Sequence, residues 1–194
     1  MFYKFAKVII RLIAPIFYRI KVTGREHVPK EGAVILCSNH IHALDCILLA
    51  IKCKRQVFYM GKKELFERPI LGRILRWIGA FPVDRSTTDM KAYRHTMDIL
   101  KDGKMLGIFS QGTRAQEFEN VKGGVAVFAL KSGAPIVPVG IRGTYRIFSR
   151  LYLNFGPPIS MEQYKDRKIK SDVVDEVMEI VKSKVTELSA DKTI

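Results

Sequence analysis

The chain has 194 residues, of which 47% are hydrophobic and 27% charged, a composition that fits one folded domain with a sizeable core. Its 33 Lys and Arg residues against 19 Asp and Glu residues give a net charge of +14, which attracts anionic partners. The sequence has neither zinc-finger spacing nor an aromatic-rich strand of the kind that stacks bases, so we expect no nucleic-acid partner. Among anionic partners, a phospholipid surface or a phosphorylated substrate is favoured instead.

Residues 1–20 combine a broad apolar face with basic residues at helical spacing. Arg11 and Arg19 interrupt the apolar run, which is too short for the ~20 residues that cross a bilayer, and no signal-peptide cleavage site follows. We predict an amphipathic interfacial helix on an anionic phospholipid surface, peripheral or monotopic at the cytoplasmic face of the membrane, with residues 21–194 as a single domain. The alternative is a helix packed on its own domain, and Pro15 would kink either one.

A strand, a polar turn and a helix are predicted in succession at residues 34–51. The apolar run ends at Asn39 and His40, and Asp45 begins the helical segment. A step of five residues puts His40 and Asp45 on different faces of one helix, but the two can meet if His40 lies in the turn. Asp45 would then bond one imidazole nitrogen and leave the other to take a proton, as in a general base. The same spacing also fits a helix-capping histidine beside a solvated acid.

Three cysteines, Cys37, Cys46 and Cys53, form an odd set without a Cys-x-x-Cys pair. We interpret them as small buried thiols in a reducing compartment. A catalytic Cys37 is the sharper alternative, which its position within a buried strand disfavours.

Strands and helices alternate along the rest of the chain, which predicts an α/β fold: a mixed, mainly parallel sheet flanked by helices, with the motifs at one end of the strands. After a short edge strand early in the domain, strands are predicted at 56–60, 79–85, 105–109, 135–141 and 151–155, and helices at 89–100, 122–131 and 173–188. Ser86, Thr87 or Thr88 is expected to cap the first of these helices.

Two segments carry groups suited to an anion. The strand that ends at Phe109 leads into Ser110-Gln-Gly-Thr-Arg114, where turn amides and the planar guanidinium can face phosphate oxygens. Lys122 precedes a glycine pair that opens a helix, where amides are also available to phosphate. A plain turn and tight helix packing explain these segments equally well.

Four blocks occur in order: Asn39-His40-x4-Asp45, Gly79–Arg85, Phe109–Arg114 and Ala134–Val139. Together they resemble the glycerolipid acyltransferase family, in particular the bacterial 1-acylglycerol-3-phosphate acyltransferases, over roughly residues 21–160. The resemblance implies acyl transfer from coenzyme A or acyl carrier protein, as co-substrate, to the free hydroxyl of a lysophospholipid acceptor, with no bound cofactor or metal.

The resemblance also implies roles for individual residues. His40 would deprotonate the acceptor hydroxyl, and Asp45 would orient His40. The remaining implied contacts are to the substrate, above all to its phosphate: Asn39, Arg85, Gln111, Gly112, Thr113, Arg114 and Lys122.

The sequence departs from the family pattern at two places. Ser110 and Gln111 stand where Pro and Glu are usual, which removes a carboxylate, and His42 stands where Ser is usual. The pair of His40 and His42 raises a metal-dependent hydrolase as a competing interpretation, although such a site needs three or more ligands. Two more interpretations stay open: acylation of another lysolipid, and a basic peripheral membrane protein of the same fold that has lost turnover.

Overall fold

The computed structural model describes residues 2–84, 86, 89–111 and 123–191. The helices are α1 (Phe2–Phe17), α2 (Asp45–Lys52), α3 (Lys63–Glu67), α4 (Pro69–Trp77), α5 (Met90–Lys101), α6 (Gly124–Ser132) and α7 (Ser171–Ala190). The strands are β1 (Arg19–Thr23), β2 (Val34–Asn39), β3 (Val57–Lys62), β4 (Ala80–Val83), β5 (Met105–Gln111), β6 (Ile136–Gly143) and β7 (Arg150–Phe155).

Within the described residues the strands form one sheet in the order β1-β7-β6-β2-β5-β3-β4. Neighbouring strands are parallel except for β6 and β7, which are antiparallel. The predicted α/β class with a mixed, mainly parallel sheet is therefore confirmed. The carboxyl ends of β6, β2, β5, β3 and β4 share one edge, called the carboxyl edge below, and β1 begins at that edge because it runs the opposite way.

The sheet is buried on both faces, which explains why β2 is a continuous apolar run. Ile35 and Cys37 pack into the layer formed with α5, α6 and α7, whereas Val34 and Leu36 pack into the layer formed with α2 and α3. The side chains of Val34, Ile35, Leu36 and Cys37 are all fully buried. Because the core fixes β2 from both sides, the turn that follows it is held in place.

Helix α1 lies against the loop that follows α2. The ammonium of Lys7 donates to the carbonyl oxygens of Cys53 at 2.5 Å and of Lys54 and Arg55 at 3.3 Å. α1 ends at Phe17, three residues before the predicted end of the helical segment, and β1 already begins at Arg19. In the part of the chain that the structure covers, no helix is long and apolar enough to cross a membrane. Contact of α1 with a bilayer stays a prediction.

The structure corrects two local predictions. Helix α5 is capped by Asp89, whose carboxylate accepts hydrogen bonds from the amides of Lys91 and Ala92 at 3.0 and 2.9 Å. The prediction that Ser86 caps this helix was wrong, because Asp caps as well as Ser and Asp89 lies directly before the helix. Thr87 and Thr88, the other two predicted caps, lie outside the described residues. Strand β5 also continues two residues beyond Phe109, to Gln111.

Candidate active site

The end of β2 and the start of α2 bring His40 and Asp45 together. His40 follows β2 in the turn, and Asp45 is the first residue of α2. Nδ1 of His40 lies 2.7 Å from Oδ2 of Asp45. The predicted meeting of the two side chains is thus confirmed, while their catalytic roles stay predictions.

Asp45 is fully buried and accepts four hydrogen bonds. Its Oδ2 accepts from His40 and from the amides of Ile41 and His42, at 2.7 and 2.8 Å, and its Oδ1 accepts from the hydroxyl of Tyr145 at 2.5 Å. Burial alone would raise the pKa of Asp45, but the bonds from His40, Tyr145 and the two amides outweigh it and hold the pKa below its ordinary value. The side chain is therefore a permanent carboxylate at neutral pH.

His40 is held from two sides and remains accessible. Its ring stacks on Phe109 with centroids 4.4 Å apart and an interplanar angle of 26°. The carboxylate of Asp45 keeps the proton on Nδ1, so the lone pair lies on Nε2. With 29% of the side chain exposed, Nε2 can accept a proton from a bound hydroxyl. The contact with Phe109 also brings the third sequence block to the histidine.

Asn39 fixes the turn from the other side. Its Nδ2 donates to the carbonyl of Ile141 at 2.8 Å, and its Oδ1 accepts from the amide of Ile141 at 2.7 Å. The β2–β6 register ends one residue earlier, at Ser38 and Val139, so the Asn39 side chain continues the connection where the backbone ladder stops. The side-chain amide of Asn39 thus anchors the turn before His40 to β6, and the predicted contact of Asn39 with substrate stays a prediction.

Tyr145 belongs to the candidate site, and the sequence did not predict it. It lies 100 positions after Asp45, on the loop between β6 and β7. Its ring stacks on His42, with centroids 4.4 Å apart, and meets Tyr18 edge-on at 5.8 Å. Burial and the bond to Asp45 raise the pKa of Tyr145, so its hydroxyl stays protonated and acts as the donor. Its one sequence signal is position: it follows β6, a strand whose carboxyl end is predicted to share an edge with β2.

Several predicted substrate contacts lie outside the described residues: Arg85, Gly112, Thr113, Arg114 and Lys122. The backbone of Gln111 is described at the end of β5, in register with Asn39, beside an irregularity between Ser38 and Asn39. The predicted start of the anion-binding segment is therefore adjacent to the His40 turn.

An open cleft of about 740 Å³ lies at the carboxyl end of β4, on the side covered by α5. Its lining combines apolar and charged side chains, among them Phe81, Pro82, Lys63, Asp84 and His95. Phe81 and Pro82 belong to the second sequence block, so this block contributes to a cavity at the same edge of the sheet as His40.

The three cysteines are free thiols, of which Cys37 and Cys53 are buried, as predicted, while Cys46 is half-buried. Burial raises the pKa of Cys46 and of Cys53 to about 11, so both stay protonated at neutral pH. Over the described ranges, no group of three or more His, Cys, Asp or Glu side chains is arranged to hold a metal ion.

Comparisons with known proteins agree with this geometry. A family model described as Acyltransferase matches residues 19–142. The 1-acyl-sn-glycerol-3-phosphate acyltransferase of Bacillus subtilis is 33% identical over 142 residues, which are 73% of this chain and 71% of that protein. The protein of the same name from Streptococcus pneumoniae is 30% identical over 174 residues, 85% of this chain and 65% of that protein.

A solved structure shares the fold. The crystal structure of the 1-acyl-sn-glycerophosphate (LPA) acyltransferase PlsC from Thermotoga maritima superposes with a TM-score of 0.70. The superposition covers 99% of this chain and 83% of that chain at 24% sequence identity. The mixed, mostly parallel sheet with flanking helices is thus common to both.

Proposed function

Because the chain belongs to the acyltransferase family, we propose that it transfers an acyl chain from a thioester to the free hydroxyl of 1-acylglycerol 3-phosphate, giving phosphatidic acid. The names of the relatives at 33% and 30% identity support this acceptor. The observation that carries the mechanism is the 2.7 Å bond between His40 and the fully buried carboxylate of Asp45.

In the first step, Nε2 of His40 takes the proton from the acceptor hydroxyl as its oxygen attacks the carbonyl carbon of the thioester. The carboxylate of Asp45 stabilises the imidazolium that forms, and general-base catalysis of this kind contributes about 10²–10⁴-fold in rate. The amides of Ile41 and His42 are already bonded to Asp45. They therefore support the base, and other donors stabilise the oxyanion.

In the second step, the carbon–sulfur bond of the tetrahedral intermediate breaks. The sulfur leaves with the bonding electron pair and takes the proton back from His40, so the products are the new ester and a free thiol. The acyl group passes directly to the acceptor, and no cysteine of the enzyme is acylated. The thioester comes from acyl-CoA or acyl carrier protein.

The acceptor phosphate needs cationic and amide donors close to His40. We assign this role to Arg114 with the amides of Gly112 and Thr113, aided by Arg85 and Lys122. The position of β5 supports the assignment, because it delivers the chain to this segment beside Asn39. A planar guanidinium suits the phosphate geometry.

Lysophospholipid acceptors lie in a bilayer, so the enzyme is expected at a membrane surface. Helix α1 supports this expectation, since Val8, Leu12 and Ile16 recur at helical spacing and are exposed by 55%, 69% and 63%. With a net charge of +14, the protein is attracted to anionic headgroups. We propose peripheral or monotopic association at the cytoplasmic face.

The test is to supply purified protein with acyl-CoA or acyl carrier protein thioester and one of three acceptors in mixed micelles. The acceptors are lysophosphatidic acid, glycerol 3-phosphate and lysophosphatidylcholine. We expect thiol release that depends on lysophosphatidic acid, with phosphatidic acid as the product, and a higher KM for this acceptor in Arg114→Ala. Turnover with only one of the other two acceptors would identify that acceptor as the substrate in place of lysophosphatidic acid. No turnover with any combination of donor and acceptor would favour a membrane protein without catalysis.

A further inference from the structure

The loop between β6 and β7, residues 144–149, presents two large apolar side chains to the outside. Ile147 is 63% exposed and Phe148 is 70% exposed. Apolar side chains stabilise a protein when they leave water, and most of the surface of these two residues stays in water. The loop therefore carries apolar area whose burial requires a partner.

Phe148 also has an unusual backbone conformation. Its φ of 64° makes it the one non-glycine residue with positive φ in the described ranges. This left-handed conformation is unfavourable for any residue with a Cβ atom. Its amide donates to the carbonyl of Phe17 at 2.6 Å, and the amide of Ser149 donates to the carbonyl of Arg146 at 3.0 Å. These bonds fix the backbone on both sides of an aromatic ring that points outward.

The loop continues the exposed apolar surface of α1. Phe17, which accepts the bond from Phe148, is the last residue of α1 and is itself 43% exposed. Ile13 and Ile16, in the same last turns, are exposed by 45% and 63%. The end of α1 and the loop thus form one apolar surface at the carboxyl edge of the sheet.

Three arginines surround this surface. Arg19 and Arg150 are direct neighbours in the register of β1 and β7, and Arg146 lies within the loop. All three are exposed, and none pairs with a carboxylate from the part of the chain that is described. Like charges on adjacent strands repel unless an anion lies between them. The site therefore favours anionic groups beside an apolar region.

We propose that residues 144–149 form a second membrane contact of this protein, next to the end of α1. Ile147 and Phe148 enter the acyl region of an anionic phospholipid bilayer, and Arg19, Arg146 and Arg150 bind the headgroup phosphates. A bilayer offers both chemistries in the observed order, with apolar chains beneath anionic phosphates.

This contact deepens the proposed function and rests on it for its purpose. Tyr145, on the same loop, donates to Asp45, so a loop held at the bilayer keeps the His40–Asp45 pair at the surface where a lysophospholipid lies. Insertion itself requires no chemistry. It is therefore measurable whether or not the protein turns over its substrate.

The chain has a single tryptophan, Trp77, so fluorescence can report from one chosen site. In the variant W77F/F148W, the only tryptophan takes the place of the exposed phenylalanine. The matched control is W77F/I169W, because Ile169 is 41% exposed and lies just before α7, which packs on the face of the sheet opposite to α2, the helix beside α1. With vesicles of phosphatidylglycerol and phosphatidylcholine in equal parts, we expect a blue shift and quenching by brominated acyl chains at position 148 but not at 169.

Three outcomes would overturn the proposal. The first is a Trp at position 148 whose emission is neither shifted nor quenched in protein that sediments with the vesicles. The second is an equal shift and quenching for the Trp at position 169. The third is protein that does not sediment with the vesicles. A blue shift at 148 that grows with protein concentration in the absence of lipid would instead assign this surface to a second copy of the chain.

Substitution of the apolar pair gives an independent readout. We expect Ile147→Ser with Phe148→Ser to lower partitioning into the same vesicles by roughly 100-fold, since each buried apolar side chain contributes on the order of one tenfold step. An unchanged thermal transition would show that the variant is folded. Unchanged partitioning of the folded variant would contradict the proposal.

Discussion

Replacement of Tyr145 by Phe removes one hydroxyl and leaves the ring that stacks on His42. Oδ1 of Asp45 then loses its hydrogen-bond donor, while the three bonds on Oδ2 remain. Asp45 is fully buried, so water does not replace the hydroxyl. A hydrogen bond to a charged group contributes about 1.5–3 kcal/mol, so we expect the free energy of unfolding to fall by about 2 kcal/mol. For a chain of this length, that loss lowers Tm by about 4–8 °C.

The matched control is Tyr164→Phe, which removes the same hydroxyl from the same kind of bond. The hydroxyl of Tyr164 donates to Glu176 at 3.0 Å, but the Glu176 side chain is 45% exposed. Water can therefore solvate the carboxylate in the variant, and we expect a smaller loss of stability. Equal losses in the two variants, measured by urea unfolding, would refute the argument that burial of Asp45 makes the Tyr145 bond strong.

The pH dependence separates this effect from a loss of packing. The pKa of Asp45 is lower in the folded protein than its ordinary value of 3.8, so its bonds stabilise the fold above that pH and less as pH falls through the folded pKa. Loss of the Tyr145 donor raises the folded pKa. The difference in unfolding free energy between wild type and Tyr145→Phe should therefore be largest at neutral pH and shrink below about pH 3.8. A difference independent of pH would point to packing instead.

Three further predictions concern the elements around the site. Asn39→Ala should lower the free energy of unfolding by about 1–3 kcal/mol and reduce kcat, because the buried backbone of Ile141 loses both partners and the turn before His40 loses its anchor; an unchanged kcat would remove its positioning role. Lys7→Met should speed amide hydrogen exchange in α1 over the wild-type rate and leave exchange in α7 unchanged, because the Lys7 ammonium holds α1 on the loop after α2. An unchanged exchange rate in α1 would contradict this docking. Cys37→Ala should retain the acyl-transfer activity of the wild type, because no cysteine is acylated in the proposed mechanism. A loss of turnover in the folded variant would favour a catalytic thiol instead.

The sequence predicted the local half of the site. His40 and Asp45 are five positions apart, and one strand-to-helix turn determines whether they meet. A pattern of apolar residues is sufficient to place that turn. Cys37 was likewise predicted as buried from the strand that contains it, whereas Cys46, which was also predicted as buried, is half-buried.

The non-local half could not be read from the pattern. Tyr145 and Ile141 reach the site because β6 lies next to β2, although the two strands are far apart in sequence and β5 flanks β2 on its other side. Periodicity indicates that strands exist, but strand order depends on how the helices pack on both faces. The contact of β6 with Asn39 and the contact of the following loop with Asp45 both depend on that order, which the sequence alone did not provide.

Small competing preferences explain the remaining differences. Asp89 caps α5 because an aspartate directly before a helix caps as well as the Ser and Thr residues that precede it. Strand β5 extends to Gln111 because its backbone still pairs with Asn39, beyond the apolar run that marked its predicted end. Both differences move an element boundary by a few residues and leave the fold unchanged.

The central claim is that His40 is the general base of an acyl transfer. The most direct measurement compares His40→Ala with His42→Ala in phosphatidic acid formation from acyl thioester and lysophosphatidic acid. His42 is the matched control, because it is a histidine of the same turn whose backbone amide, rather than its ring, bonds Asp45. We predict that His40→Ala lowers kcat by about 10²–10⁴-fold while His42→Ala stays within about tenfold of wild type. Turnover by folded His40→Ala at the wild-type rate would contradict the mechanism.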